Sequence, residues 1–209
     1  MVNEDLLNVD PPIRTPVIAV YRDSFTDQTG ARRSNSQFAT FSTAITQAPH
    51  AYLIRALKHA GKNNDGFFQV VERVGLDHVT KERQLIRSTR ESFDEEQKLP
   101  PLVFAGLIME GGVIGYESNT TSGGAGARYL GIGTSKAYRR DTVQVSLRTV
   151  SVTTGKVLME VLVSKTILSA SLDNDVFRFV ADSTELVEVE GGVVRNESVN
   201  IALQAAIET

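Results

Sequence analysis

Two long segments constrain this chain most, because neither fits an ordinary hydrophobic core: Asn119–Arg140 and Ala170–Val194. The first is rich in glycine, serine and alanine and carries Gly123, Gly124, Gly126, Gly131 and Gly133. The second mixes acids with Phe177, Phe179 and valines. Connections of this length are uncommon in compact domains unless they are functional or disordered. Each is about as long as two membrane-crossing β-strands and a turn, at roughly 9–11 residues per strand.

The remaining sequence reads as an α/β core. Val17–Tyr21 is a short β-branched run and is expected to be a buried strand. Arg22–Ser36 is polar and reads as loop. Pro49–Ala60 is expected to be a helix, with Pro49 in its first turn, Gly61 just past its end, and Leu53, Ala56, Leu57 and Ala60 on one face. Phe67–Glu72 reads as a strand, and Leu76–Arg90 as a helix with Leu76, Val79 and Ile86 on one face. After Pro100–Pro101, Val103–Tyr116 is expected to be a long strand with a bend or bulge at Gly111–Gly112. Thr142–Val152 alternates apolar and polar residues, with a slip near Thr149. Thr153–Lys156 is a turn whose Gly155 can take positive φ, and Val157–Leu168 is the return strand. Ser198–Thr209 reads as a closing helix with Val199, Leu203, Ala206 and Ile207 on one face. Residues 1–15 form an expected extended arm, and 16–209 a single domain with hairpins inserted at about 120–140 and 170–194.

The 209 residues suffice for one domain, and the net charge of -3 carries no nucleic-acid footprint. With no cysteine, disulfides, thiolate metal sites and cysteine nucleophiles are excluded. Met1–Arg14 is polar and does not read as a signal peptide. No apolar run is long enough for a transmembrane helix, which says nothing against a barrel.

Catalytic and cofactor motifs fail on required residues. Tyr129 stands where the dinucleotide fingerprint after Gly124-Ala125-Gly126 needs a small residue, and Ile132 where a P-loop needs lysine. His50, His59 and His78 lack metal-ligand spacing, and no nucleophile elbow is present. The expectation is no cofactor, no metal and no enzyme activity. Val187-Glu188-Val189-Glu190 alternates strictly, so in a strand the valines share one face and the glutamates the other. On a barrel wall the valines would meet lipid and the glutamates a wet lumen. An amphipathic strand of a soluble sheet is the commoner source of such a pattern. Phe177 and Phe179 also share a strand face, but strict alternation would put Asp173 and Asp175 beside them. A span starting after Asp175, or a bulge, would resolve this.

The run Glu110-Gly-Gly-Val-Ile-Gly-Tyr-Glu-Ser-Asn119, followed by Ser122-Gly-Gly-Ala-Gly-Ala-Arg-Tyr-Leu-Gly-Ile-Gly133, resembles the curli secretion channel family, CsgG. Phe41–Ala44, Glu72–Leu76, Ser164–Leu168, Val176–Phe179 and Ala206–Thr209 extend the similarity from about Pro16 to Thr209. The resemblance implies a lipoprotein of the bacterial outer membrane. About nine copies would form a ring with a periplasmic vestibule and one shared barrel of about 36 strands. It would export unfolded curli subunits by diffusion, without nucleotide, assisted by a periplasmic accessory factor and a nucleator.

The resemblance also implies a pore constriction in Asn35–Phe41. The family phenylalanine lands on Phe41, its neighbouring asparagine on Thr40 and its tyrosine on Ser36, with Phe38 between them. Lumen acids land on Glu188 and Glu190, while Phe177, Phe179, Val187 and Val189 are expected to face lipid. The sequence departs from the family at Ser36, in having no lipid-anchor cysteine or signal peptide, and in ending before a further helix. Those departures suggest a trimmed chain. The alternative function is a soluble periplasmic α/β binding module with both segments as surface loops.

Overall fold

The structure, a computed structural model, describes residues 3–31, 44–93, 97–121, 138–172, 176–180 and 197–209. Val17–Ala19 forms β1, and Ile18, Ala19 and Val20 are almost wholly buried. The chain then turns at Tyr21–Ser24, where the Ser24 hydroxyl donates to Tyr21 O at 3.0 Å and to Met109 O at 3.2 Å. It immediately resumes as β2, Phe25–Asp27. This strand lies inside the stretch expected to be loop. Three residues are too few to show a period, and only the full burial of Phe25 marks them.

Helix α2, His50–His59, buries Leu53, Ala56 and Leu57, and Ala60 after it is also buried, as the expected apolar face requires. Gly61 follows with φ 67. Its N–H donates to Leu6 O at 2.8 Å, which ties down the N-terminal arm. That arm is not wholly extended, since Glu4–Leu7 makes one helical turn, α1, capped by the Asn3 side chain. Strand β3 is Gln69–Val71. Helix α3, Leu76–Ser92, matches the expected helix but buries no residue. Its Leu76, Val79 and Ile86 are only half-buried. The segment beside it is clipped by guanidinium groups: Arg73 donates to Val103 O at 2.9 Å, Arg83 to Pro100 O at 2.5 Å and Arg90 to Gln97 O at 2.7 Å. The apolar stripe that read as a core face therefore meets a polar-clipped strap.

Strands β4 (Leu107–Thr121), β5 (Tyr138–Ser151), β6 (Val157–Leu172) and β7 (Val176–Val180) form an antiparallel meander. The sheet order is β3-β1-β4-β5-β6-β7, with β2 added to β4. β1 lies parallel to β3 and to β4, so the sheet is mixed. Gly155 takes φ 67 in the β5–β6 turn, and the ladder shifts register between Thr149 and Val150, where the alternation slips. Gly111 has φ 146, the irregular backbone expected there, but the register shift of β4 falls between Val113 and Gly115.

Helix α4, Glu197–Glu208, packs on β5 and β6 and against α2. Its Val199, Ala202, Leu203, Ala206 and Ile207 join Ile18, Phe25, Ile45, Leu53, Val113, Val143 and Val145 in one core cluster. The sheet is thus covered by helices on the face of Val143 and Val145. The alternate residues of β5, Gln144 and Arg148, are exposed on the other face. At about 3.3 Å per residue, the 15 residues of β4 span roughly 50 Å, against the usual 17–20 Å.

A Cβ on Gly111 would lie 1.9 Å from Ser146 O, a backbone atom of the neighbouring strand, at a φ that side chains avoid. Gly111→Ala should cost about 3 kcal/mol, whereas Gly155→Ala, with open space around it, should cost about 1 kcal/mol in denaturant unfolding. His50 is held below its usual pKa by burial and then by Arg22, and His59 by burial and then by Arg55 and Lys62, partly offset by Glu208. Among the described residues, the Nδ1 atoms of both are buried without a hydrogen-bond partner. The unfolded chain therefore binds these protons more readily, so stability is full above about pH 6.5 and falls as pH drops below it. His50→Gln with His59→Gln should flatten that acid limb in unfolding measured from pH 7.5 to 5; an unchanged slope contradicts the assignment.

Candidate functional site

The site is built where β2, β4 and β5 meet at the base of the long strands. Phe25 pairs with Gly111, Thr26 with Gly112 and Asp27 with Val113. Gln28 N then donates to Val113 O at 2.9 Å, and β2 ends. Added Cβ atoms on Gly112 and Gly115 would lie 2.5 Å from Thr26 O and 2.6 Å from the Gln144 Oε1. Glycine is needed here because two strands press against β4 from opposite sides.

Past β2 the chain forms a pinned neck. Asp27 Oδ1 accepts from Thr29 N at 3.0 Å and from Thr29 Oγ1 at 2.7 Å. Thr29 Oγ1 in turn accepts from Ala31 N at 3.0 Å. Ala44 N donates to Ala31 O at 2.9 Å, which draws together the two ends of residues 32–43. Ile45, next along, is 1% exposed and anchors the returning chain in the core. Ser36, Phe38, Thr40 and Phe41 lie outside the described residues. The structure fixes where their segment leaves and re-enters.

Above Val113 the long strands go on alone. β4 pairs with β5 up to Thr121↔Tyr138, so the arms of the first hairpin are in register where the expected segment begins. β6 pairs with β7 from Leu168↔Val180 to Leu172↔Val176. In β7, Phe177 and Phe179 pair with Ser171 and Ser169, while Asp173 and Asp175 lie outside the described residues. Val187, Glu188, Val189 and Glu190 lie outside the described residues.

Two features were missed by sequence reasoning. Asp141 is fully buried and accepts a hydrogen bond from the Tyr116 hydroxyl at 3.2 Å. Its parity with Val143 and Val145 in the alternating run was the available signal, since equal parity means a shared face. The second is the sheet face that the described helices leave bare, where polar groups form a ladder beside the exposed Ile114 and Leu162. Thr142 and Thr166 hydroxyls lie 3.0 Å apart across β5 and β6. Arg148 donates from Nε and Nη2 to one Glu110 oxygen at 3.1 and 2.8 Å. Half exposed, that pair is worth little stability, about 0–1 kcal/mol. Two shallow depressions of about 280 and 390 Å³ run along this face and share Gln28 and Ile114. Such a surface can hold and release a polar ligand, and it offers hydroxyl, amide and carboxylate groups to do so.

The model of the family "Curli production assembly/transport component CsgG" matches residues 2–209. The curli production assembly/transport component CsgG of Escherichia coli strain K12 is 40% identical over 210 residues, covering 99% of this chain and 73% of the relative. The Salmonella typhimurium LT2 protein of the same description is also 40% identical, with the same coverage. A solved structure, protein XCC0632 from Xanthomonas campestris, aligns over 96% of this chain and 84% of its own at 10% identity and a TM-score of 0.38, too slight a likeness to bear on fold or function. The family match along the whole chain and the identity to these transport components together make the chain a member of the CsgG family of curli production assembly/transport components.

Proposed function

We propose that the chain is one subunit of an outer-membrane ring that exports unfolded curli-type subunits from the periplasm through a shared β-barrel, by diffusion and without nucleotide. The observation that carries this is the meander β4–β7. Its strands outrun the helix layer, and among the described residues β4 beyond Val113 is paired on one side only, by β5. Four alternating strands leave β7 antiparallel to the β4 of an adjoining copy. Head-to-tail pairing of those edges closes a ring with antiparallel ladders for any copy number. Closure removes the open edges, as a membrane requires. The family relationship favours about nine copies, and a periplasmic accessory factor and nucleator as partners.

In this reading the helix-covered part is the periplasmic vestibule domain. The hairpins at about 120–140 and 170–194 form the wall, with Phe177, Phe179, Val187 and Val189 toward lipid and Glu188 and Glu190 toward the lumen. The segment bearing Ser36, Phe38, Thr40 and Phe41 leaves the pinned neck at Ala31 and Ala44 and sets the pore width. A collar of aromatics gives an extended chain a narrow apolar passage. Ser36 in place of a tyrosine makes that collar wider and more polar. The family match does not favour the soluble binding-module alternative.

Reconstituted in planar bilayers, the protein should form cation-preferring channels, because rings of Glu188 and Glu190 favour cations. Phe41→Ala should raise single-channel conductance, and an unchanged conductance would remove that residue from the constriction. Val187→Arg should weaken insertion by about 2–4 kcal/mol if its position is near mid-membrane. A chain that stays monomeric in detergent and never conducts would overturn the channel itself.

A further inference from the structure

Among the described residues, the helices leave one face of the sheet bare. Its two depressions share Gln28 and Ile114, so they form one continuous groove. The lower part is lined by Asp23, Glu110, Arg148 and Glu160, and the upper by Gln28, Glu117, Thr142 and Gln144. The groove is kept open by the chain itself. Gly112 and Gly115 place no side chain in it, and the register shift at Ile114 turns that side chain outward to 41% exposure. Where the two depressions meet it passes Gln28 and Thr29, directly before the Ala31–Ala44 neck, and its upper end lies at Glu117 and Thr142. A ligand lying in it therefore leads to the base of the segment that sets the pore width.

The lining decides the class of ligand. The groove is shallow and mostly polar, so it offers no deep pocket to select an apolar side chain. Amides and hydroxyls can swap hydrogen bonds with any peptide backbone for those with water, and each swap leaves only a small net gain. That suits a chain that must be held briefly and then slide. Four carboxylates stand against the single Arg148 guanidinium, which itself is drawn to Glu110. The groove thus favours cationic over anionic segments, by a field that salt screens.

We propose that this groove is a substrate track, holding the transported polypeptide extended on the vestibule side immediately before the constriction. The inference rests on the export reading above and adds the binding surface to it. The probe is an unfolded lysine-, serine- and asparagine-rich polypeptide of about 40 residues, added to the vestibule side of channels in planar bilayers. Thr142→Ala with Gln144→Ala should shorten its blockade at least threefold, while open-channel conductance stays as in the parent. Because the chain has no cysteine, Gln144→Cys gives a single reactive thiol. A maleimide on the polypeptide should couple to it at least tenfold faster than to Arg55→Cys, on exposed α2 across the sheet. The coupling should slow as salt rises, and a glutamate-rich polypeptide should couple more slowly. Equal coupling at both cysteines, or an unaltered blockade in a conducting double variant, overturns the track and leaves the channel standing. Absence of any conductance counts against the export reading instead.

Discussion

The grip on β4 at Gly111 and Gly112 is the constraint on which the other features depend. At this point β2 lies on one side and β5 on the other, and both approach closer than any side chain would permit. β4 is the central strand of the helix-packed domain and also the first of the long antiparallel strands. Loosening it would shift the domain relative to the hairpins. The same contact positions Gln28 against Val113, and from there the neck that closes on Ala31 and Ala44. In the proposed channel, the wall and the pore-narrowing segment are thus both referenced to this one junction. That arrangement suits a channel whose width must be set by nearly identical copies.

The sheet is asymmetric, and the asymmetry organises the rest. One face buries Val143, Val145 and Asp141 under α4, and the alternate residues form a bare polar ladder. In a barrel built by extending the same strands, a polar face continues naturally toward water and the opposite face toward the surroundings. Asp141 sits at the upper limit of the buried face, bonded to the Tyr116 hydroxyl, where the packed layer ends. A buried carboxylate costs free energy unless it is hydrogen-bonded. Its presence at that height marks the transition more sharply than another valine would.

Helix α3 shows how periodicity can mislead. Leu76, Val79 and Ile86 repeat like a core face, yet no residue of the helix is buried. Arg83 and Arg90 repeat on that same stripe, and with Arg73 they clamp an extended strap through its carbonyls. Pro100 and Pro101 favour that extended path and lack N–H groups of their own to pair. The helix is held to the strap by charge-assisted hydrogen bonds more than by buried area.

By itself the sequence determined the helices α2 and α4 with their buried faces, the β5–β6 hairpin with its slip at Thr149, and the family. Each of these is encoded locally, by a repeat of 3.6 or 2 residues, by a glycine in a turn, or by long ordered strings. Only the tertiary structure decided that β2 is a strand, because three residues carry no period and their pairing with β4 crosses more than eighty positions. It alone revealed the neck, whose closing hydrogen bond joins residues thirteen apart through backbone atoms that no side-chain pattern reports. It alone assembled the groove, from Asp23, Gln28, Glu110, Glu117, Gln144 and Glu160 on strands and loops distant in the chain. Faces and turns are short-range properties that residue order records directly, whereas a surface shared by several strands exists only once their register is fixed.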